Sequence, residues 1–179
     1  MVKKIYFLLI GIILLTSCYK LIDLTMKKTP YFGEELRIDG YYYSNPFYDK
    51  YADITTMRVA VFYSDGFCID TQVELPKNQD TLTYIENEVL LNEVYLAKMK
   101  REPLYIGVFQ IMYPDIQFES WQFRSWTVSS FGVIVNDTTF IINKHWTNFR
   151  SYKTLSEYPV TYRFQQFSPK PDSTNYFVK

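Results

Sequence analysis

Three residue types are nearly missing from this chain of 179 residues: cysteine occurs twice, histidine once and glycine six times. With His145 as the lone imidazole, and without Cys-x-x-Cys or His-x-x-x-His spacing, no set of nitrogen and sulfur ligands converges on a metal. No glycine falls in G-x-G-x-x-G or G-x-x-x-x-G-K order, which argues against a nucleotide loop, and no G-x-S-x-G elbow is present. An excess of one charge is missing too. Lys and Arg together number 19 against 19 Asp and Glu, and no long basic run appears. Neutralising phosphates takes a surplus of cations, so nucleic acid is excluded as a partner. None of these patterns implies a cofactor.

What the chain does have is aromatic mass. It carries 17 Tyr and 14 Phe, and hydrophobic residues make up 47% of it, enough for a real core. Flat rings pack well on a pleated, half-buried surface, so composition leans towards strand. The length fits one domain.

Lys3 and Lys4 open the sequence, an apolar run follows from Ile5 to Leu15, and Thr16, Ser17 and Cys18 end it. A basic start, a short apolar run and small residues form a secretory signal. As a helix the run rises only about 16 Å, roughly half the hydrocarbon core of a bilayer, which disfavours a transmembrane anchor. Leu15-Thr16-Ser17-Cys18 resembles the lipobox of bacterial lipoproteins. That resemblance implies cleavage before Cys18, a diacylglyceryl group on its sulfur and an acyl chain on the new amine. One acyl chain holds a protein marginally and two or three hold it effectively permanently. The membrane is then a partner through the N-terminal lipid. Tyr19 follows Cys18 where some lipoproteins carry an Asp that retains them at the inner membrane, and no acidic export cluster follows. The implied address is the outer membrane, facing the periplasm, with the cell surface left open.

Residues 1–17 therefore read as signal peptide, 18–34 as lipidated cysteine and tether, 35–167 as the β domain, and 168–179 as a Pro-rich C-terminal loop. Fully extended, the tether spans at most roughly 50 Å. Strand patterns occupy residues 36–43, 58–63, 67–73, 104–111, 116–123, 127–135, 138–144 and 160–167. Three hairpins stand out, around Ser64-Asp65-Gly66, Tyr113-Pro114-Asp115 and Asn136-Asp137. In the last, a two-residue loop sets Val135 opposite Thr138, Val133 opposite Phe140 and Phe131 opposite Ile142, the greasier face and hence the expected core side. Residues 83–100 read as a helix, with Thr83 and Glu86 as a capping box and Lys98, Lys100 and Arg101 near its end. Its apolar residues spread around the wheel without forming one stripe, which leaves strand open for part of it.

The fold expected is mostly β: about eight antiparallel strands in a meander, closed as a barrel or curled, with one helix between strands three and four. A β-sandwich is the competing architecture. The layout resembles the lipocalin-like (calycin) barrels, whose Gly-x-Trp near the first strand is echoed by Gly40-Tyr41-Tyr42 with Tyr42 in place of Trp. The whole chain resembles small uncharacterised bacterial lipoproteins.

Among candidate sites, Tyr42, Trp121 and Trp126 belong to aromatic clusters able to contact an apolar ligand or a sugar. Cys68 has no disulfide partner once Cys18 carries lipid, and a Cys68–His145 nucleophilic pair lacks any accompanying signature, so a non-enzymatic reading leads. Asp80-Thr81-Leu82, Asp137-Thr138-Thr139 and Asp172-Ser173-Thr174 resemble acceptor tripeptides of bacterial O-glycosylation, which would place sugars on Thr81, Thr138 and Ser173. Ordinary turn chemistry explains the same residues. Two functions are expected: a barrel holding one small apolar or amphipathic ligand, or a filled barrel whose surface aromatics hold an envelope protein or glycan. Replacing Cys18 by Ser should move the protein from the membrane to the soluble fraction, read by fractionation of the native host.

Overall fold

Successive side chains point to opposite faces along Tyr41, Tyr42 and Tyr43, and again from Arg58 to Phe62, so rings and aliphatic groups are supplied to both sides of the sheet. The computed structural model describes residues 21–50, 52–149 and 152–178. Its strands are β1 (Gly40–Ser44), β2 (Phe47–Asp49), β3 (Ile54–Phe62), β4 (Phe67–Glu74), β5 (Ile106–Met112), β6 (Asp115–Phe123), β7 (Trp126–Asn136), β8 (Thr139–Phe149) and β9 (Lys153–Gln166). All pairings are antiparallel and run β1-β9-β8-β7-β6-β5-β4-β3-β2. A further pairing, Tyr42 with Ala60 and Tyr43 with Val59, joins β1 to β3 and closes eight strands into a barrel. The short strand β2, which sequence did not foretell, adds to β3 outside the closed ring. Closure removes the sandwich alternative.

One end of the barrel, here called the floor, carries the β3–β4, β5–β6 and β7–β8 turns. Gly66, with φ of 87°, makes the first of them where a side chain would be strained. Phe62, Phe109, Phe118, Phe140, Tyr42 and Tyr162 fill the interior above these turns. Ring centroids 4.7 Å apart for Phe62–Phe109 and 4.6 Å for Phe140–Tyr162 leave no space between them. Tyr31 and Leu36 close the floor from below.

The β7–β8 hairpin departs from the expected register. Ile134 faces Phe140 and Val133 faces Ile141, and the two-residue turn is Asp137-Thr138 instead of Asn136-Asp137. Irregularities between Phe131 and Gly132 and between Ile134 and Asn136 shift β7 by one residue. Phe140 and Ile142 point inward as expected, but Ile134 joins them in place of Val133, and Val135 is exposed.

Outside the barrel, α1 (Thr81–Ile85) continues into a π-helical turn (Glu86–Leu90), and α2 (Glu93–Arg101) follows. The chain breaks at Leu91-Asn92, so the single helix expected is two short ones, which explains why its apolar residues formed no stripe. The capping box is replaced by two side-chain caps: Asp80 accepts the Thr83 N–H at 2.9 Å and Asn92 the Tyr95 N–H at 3.0 Å. Glu86 instead accepts the Tyr41 hydroxyl. Ile85, Val89, Leu90 and Met99 cover the outward faces of β3 and β4 at Met57, Val59, Val61, Ile69 and Val73. Tyr41 and Tyr42 are thus both buried, one under the helices and one inside the barrel.

From Leu21 the chain is bound to the wall, so the expected tether is shorter than the sequence implied. Ile22 donates to the Arg124 carbonyl and accepts from the Trp121 indole at 2.6 Å. Glu119, fully buried on the outer side of β6, accepts from Thr25 N, Thr25 Oγ1 and Met26 N, and from Thr127 Oγ1. Gln110 then donates to the Lys27 carbonyl before Tyr31 turns under the floor. Along the tail, Lys170 donates to the Ile38 and Phe62 carbonyls, and Phe177 packs on Trp121. Among the described residues no helix is long and apolar enough to cross a membrane. Glu119→Ala leaves four donors without their acceptor, and should cost about 3 kcal/mol and make Lys27 and Lys28 fast sites for trypsin while the barrel stays folded.

Candidate binding site at the barrel mouth

Strand lengths decide where the barrel opens. β5 begins only at Ile106, because Tyr105 takes a left-handed backbone with φ of 63° that a strand cannot continue through. Beyond Asp70, β4 has only β3 as a neighbour, and a gap separates it from the last residues of β6. β1 ends at Ser44 opposite Tyr162, so the first half of β9 pairs with β8 alone. Away from the floor the barrel therefore splits into two sheets, β2–β3–β4 and β6–β7–β8–β9.

A cavity lies in each gap. The first, about 260 Å³, is lined by Asp70, Gln122, Trp126, Val128, Thr147 and Phe149 among others. The second, about 650 Å³, lies between Ser44–Phe47 and Tyr158–Thr161. Arg58 and Gln72 line both, so the two cavities flank one guanidinium.

Arg58 bridges the two sheets. Its Nη2 donates to Tyr158 Oη at 2.7 Å, and its Nη1 lies 3.5 Å from His145 Nδ1. An arginine only donates, so Nδ1 is the acceptor and the imidazole proton sits on Nε2. Ser130 Oγ holds the same Nδ1 at 3.0 Å, and the Tyr158 ring stacks on the imidazole at 4.9 Å. Burial and then the Arg58 charge depress His145 to about 4, so the ring is neutral at pH 7. Burial works against the guanidinium, but Tyr162, Asp70 and Tyr158 together outweigh it and keep Arg58 charged.

Two polar atoms here are buried without any hydrogen-bond partner: His145 Nε2 and Tyr162 Oη. Tyr162 stands near the guanidinium without reaching hydrogen-bond geometry, and burial first of all pushes its hydroxyl upward. Asp70 is the carboxylate closest in influence to Arg58, yet no ion pair among the described residues includes Arg58. Asp70 accepts the Ser120 hydroxyl at 2.9 Å, and burial raises its carboxyl against the pull of Arg58 and Ser120.

Of the expected aromatic contacts, only Trp126 lines a cavity. Tyr42 lies in the filled interior, its hydroxyl 2.9 Å from the Arg37 and Asp137 carbonyls. Trp121 faces outward and is covered by Ile22 and Phe177, because odd positions of β6 leave the barrel where even ones enter it. Cys68 points inside among aromatic rings with its thiol pushed well up by burial, and no hydrogen bond joins it to His145. Thr81 begins α1, Thr138 lies in the β7–β8 turn and Ser173 in the tail, each partly exposed. Cys18 lies outside the described residues. Arg58, Tyr158 and Tyr162 escaped sequence reasoning, since 87 residues separate Arg58 from His145 and 100 separate it from Tyr158. Among the described residues no group of three metal-ligating side chains exists.

No family model matches the chain, and no curated protein or solved structure matches it either.

The depressed His145 sets a pH dependence. The unfolded chain takes the proton near the ordinary 6.5 and the folded one only near 4, so this contribution is whole above pH 6.5 and is lost as pH falls towards 4. The loss reaches about 3 kcal/mol. His145→Gln should flatten that part of the stability profile, measured by urea unfolding at pH 7, 5.5 and 4.5.

Proposed function

We propose that this protein is a lipid-anchored lipoprotein of the cell envelope that binds a small amphipathic ligand at the mouth of its barrel. The observation that carries the ligand reading is the pair of cavities around Arg58, above an interior already filled by rings. An eight-stranded barrel has room for side chains or for one small ligand. Here side chains take the floor half, and the ligand keeps to the other.

The anchor reading rests on the lipobox-like Leu15-Thr16-Ser17-Cys18. It gains a geometric sense from the place where the wall first holds the chain. Ile22 binds Arg124, in the turn between β6 and β7 at the mouth end. Three residues from Cys18 to Leu21 reach at most about 10 Å, so an acylated Cys18 keeps the mouth beside the bilayer. Phe123, Trp126, Phe149 and Tyr152 form a ladder of rings along that rim, with centroids 4.8, 5.2 and 4.4 Å apart. Such rings suit an interface between water and acyl chains. The closed barrel is compatible with a lipocalin-like relationship.

A second reading, an interaction lipoprotein holding an envelope protein or glycan, draws on the filled floor half and on Trp146 and Leu155. These two are paired across β8 and β9 and exposed on the outer wall. Native mass spectrometry of protein extracted from its host membranes separates the two. A small molecule that leaves on denaturation supports the mouth as a ligand site, and an unliganded protein of polypeptide-plus-lipid mass overturns it.

A further inference from the structure

The mouth carries a charge arrangement more specific than "amphipathic". Arg58 is a cation set between two cavities, and its firm hydrogen bond goes to a phenol, not to a carboxylate. Arg58 is half-buried and its charge is offset in part by Asp70, but none of its hydrogen bonds goes to a carboxylate, so an anion entering the mouth gains a charged contact that the protein does not itself fill. Around it the unused groups are of one kind. His145 Nε2 bears a proton and has no acceptor, and the Tyr162 hydroxyl lies by the Arg58 charge without a hydrogen bond of good geometry. Ser130 and Arg58 occupy the other imidazole nitrogen, so the ring cannot turn Nε2 to a new use without losing both contacts. Neither His145 nor Tyr162 lines either cavity, so Arg58 is the group of this cluster that a ligand meets. A cationic ligand would meet Arg58 head-on, and a neutral hydrocarbon would leave the guanidinium without a charged contact.

The surroundings limit the anion further. Trp126, Val128, Phe149 and Phe123 line the first cavity, and Phe47, Pro46 and Val160 contribute to the second. An inorganic anion would leave these surfaces uncovered. Asp70 also lines the first cavity, which disfavours a second negative charge on the same molecule. We infer that the mouth recognises a small monoanionic organic acid, its carboxylate seated on Arg58 and its apolar part against the Trp126–Phe149 wall. This inference rests on the ligand reading of the mouth given above and adds the chemical class. Arg58 makes the charged contact, and Tyr158 and His145 are positioning residues that fix the guanidinium across the two sheets.

The test is calorimetric titration of the full-length protein in detergent with phenylacetate, its neutral isostere phenylacetamide, and inorganic phosphate at pH 7. Phenylacetate should bind about tenfold or more tighter than the amide, as expected for a hydrogen-bonded charge. Arg58→Met should remove that difference while leaving amide binding unchanged, and Arg58→Lys should restore part of it. Tyr158→Phe, which frees the guanidinium without removing its charge, should weaken the acid less than Arg58→Met does, and serves if the methionine variant fails to fold. Equal affinity for acid and amide, or an acid preference that survives Arg58→Met, overturns the carboxylate assignment. Phosphate binding as tight as phenylacetate overturns the organic acid in favour of a general oxyanion site. If none of the probes binds while a molecule still leaves the native extract on denaturation, the acid class fails and the mouth survives as a ligand site. If nothing leaves the extract either, both fail.

Discussion

Unequal strand lengths govern this barrel more than any single contact. β1 contributes 5 residues and β5 contributes 7, against 14 in β9. Backbone groups pair only where a neighbour exists, so full closure is confined to the floor half. There the inward rings exclude water from the interior. Towards the mouth the same sheet parts along two seams, and water or a ligand reaches side chains that a complete barrel would have sealed. The cavities follow from missing neighbours, not from small residues.

Arg58 is what spans the parted sheets. It joins β3 to β9 through Tyr158 and to β8 through His145, so the cation that lines both cavities also ties the parted sheets together. A cluster of this kind stabilises weakly, because desolvation offsets most of the attraction. Stability lies in the aromatic floor and in the apolar seam beneath the helices. That division of labour puts the polar side chains of the mouth against the cavities and keeps them out of the aromatic floor.

Much of the architecture was legible in the sequence because local chemistry dictated it. Asp65-Gly66 favours a turn, and the β-rich runs on either side of it, residues 58–63 and 67–73, fall almost wholly in β3 and β4. The β7–β8 register was misread because the only local sign of the shift is Gly132, which stands at one irregularity and marks a bulge weakly. The wall-bound segment from Leu21 to Tyr31 looked like a linker since its partners, Glu119, Arg124 and Gln110, lie far along the chain. The mouth was invisible for the same reason. Aromatic residues drew the eye to Tyr42 and Trp121, yet in a chain this rich in rings most of them are bulk for the core. The informative residue was a single arginine flanked by Met57 and Val59, a charge where the alternation asks for an inward side chain.

The segment that runs from Ile22 to Leu36 travels the height of the barrel, beginning by the mouth and ending beneath the floor. A pull on its outer end would therefore act along the wall and not away from it. Hydrogen bonds loaded in this direction share the force, so the Glu119 and Gln110 contacts would have to slide together before Tyr31 was dragged from its seat. A load applied to the amino-terminal side would thus meet resistance without peeling the barrel open.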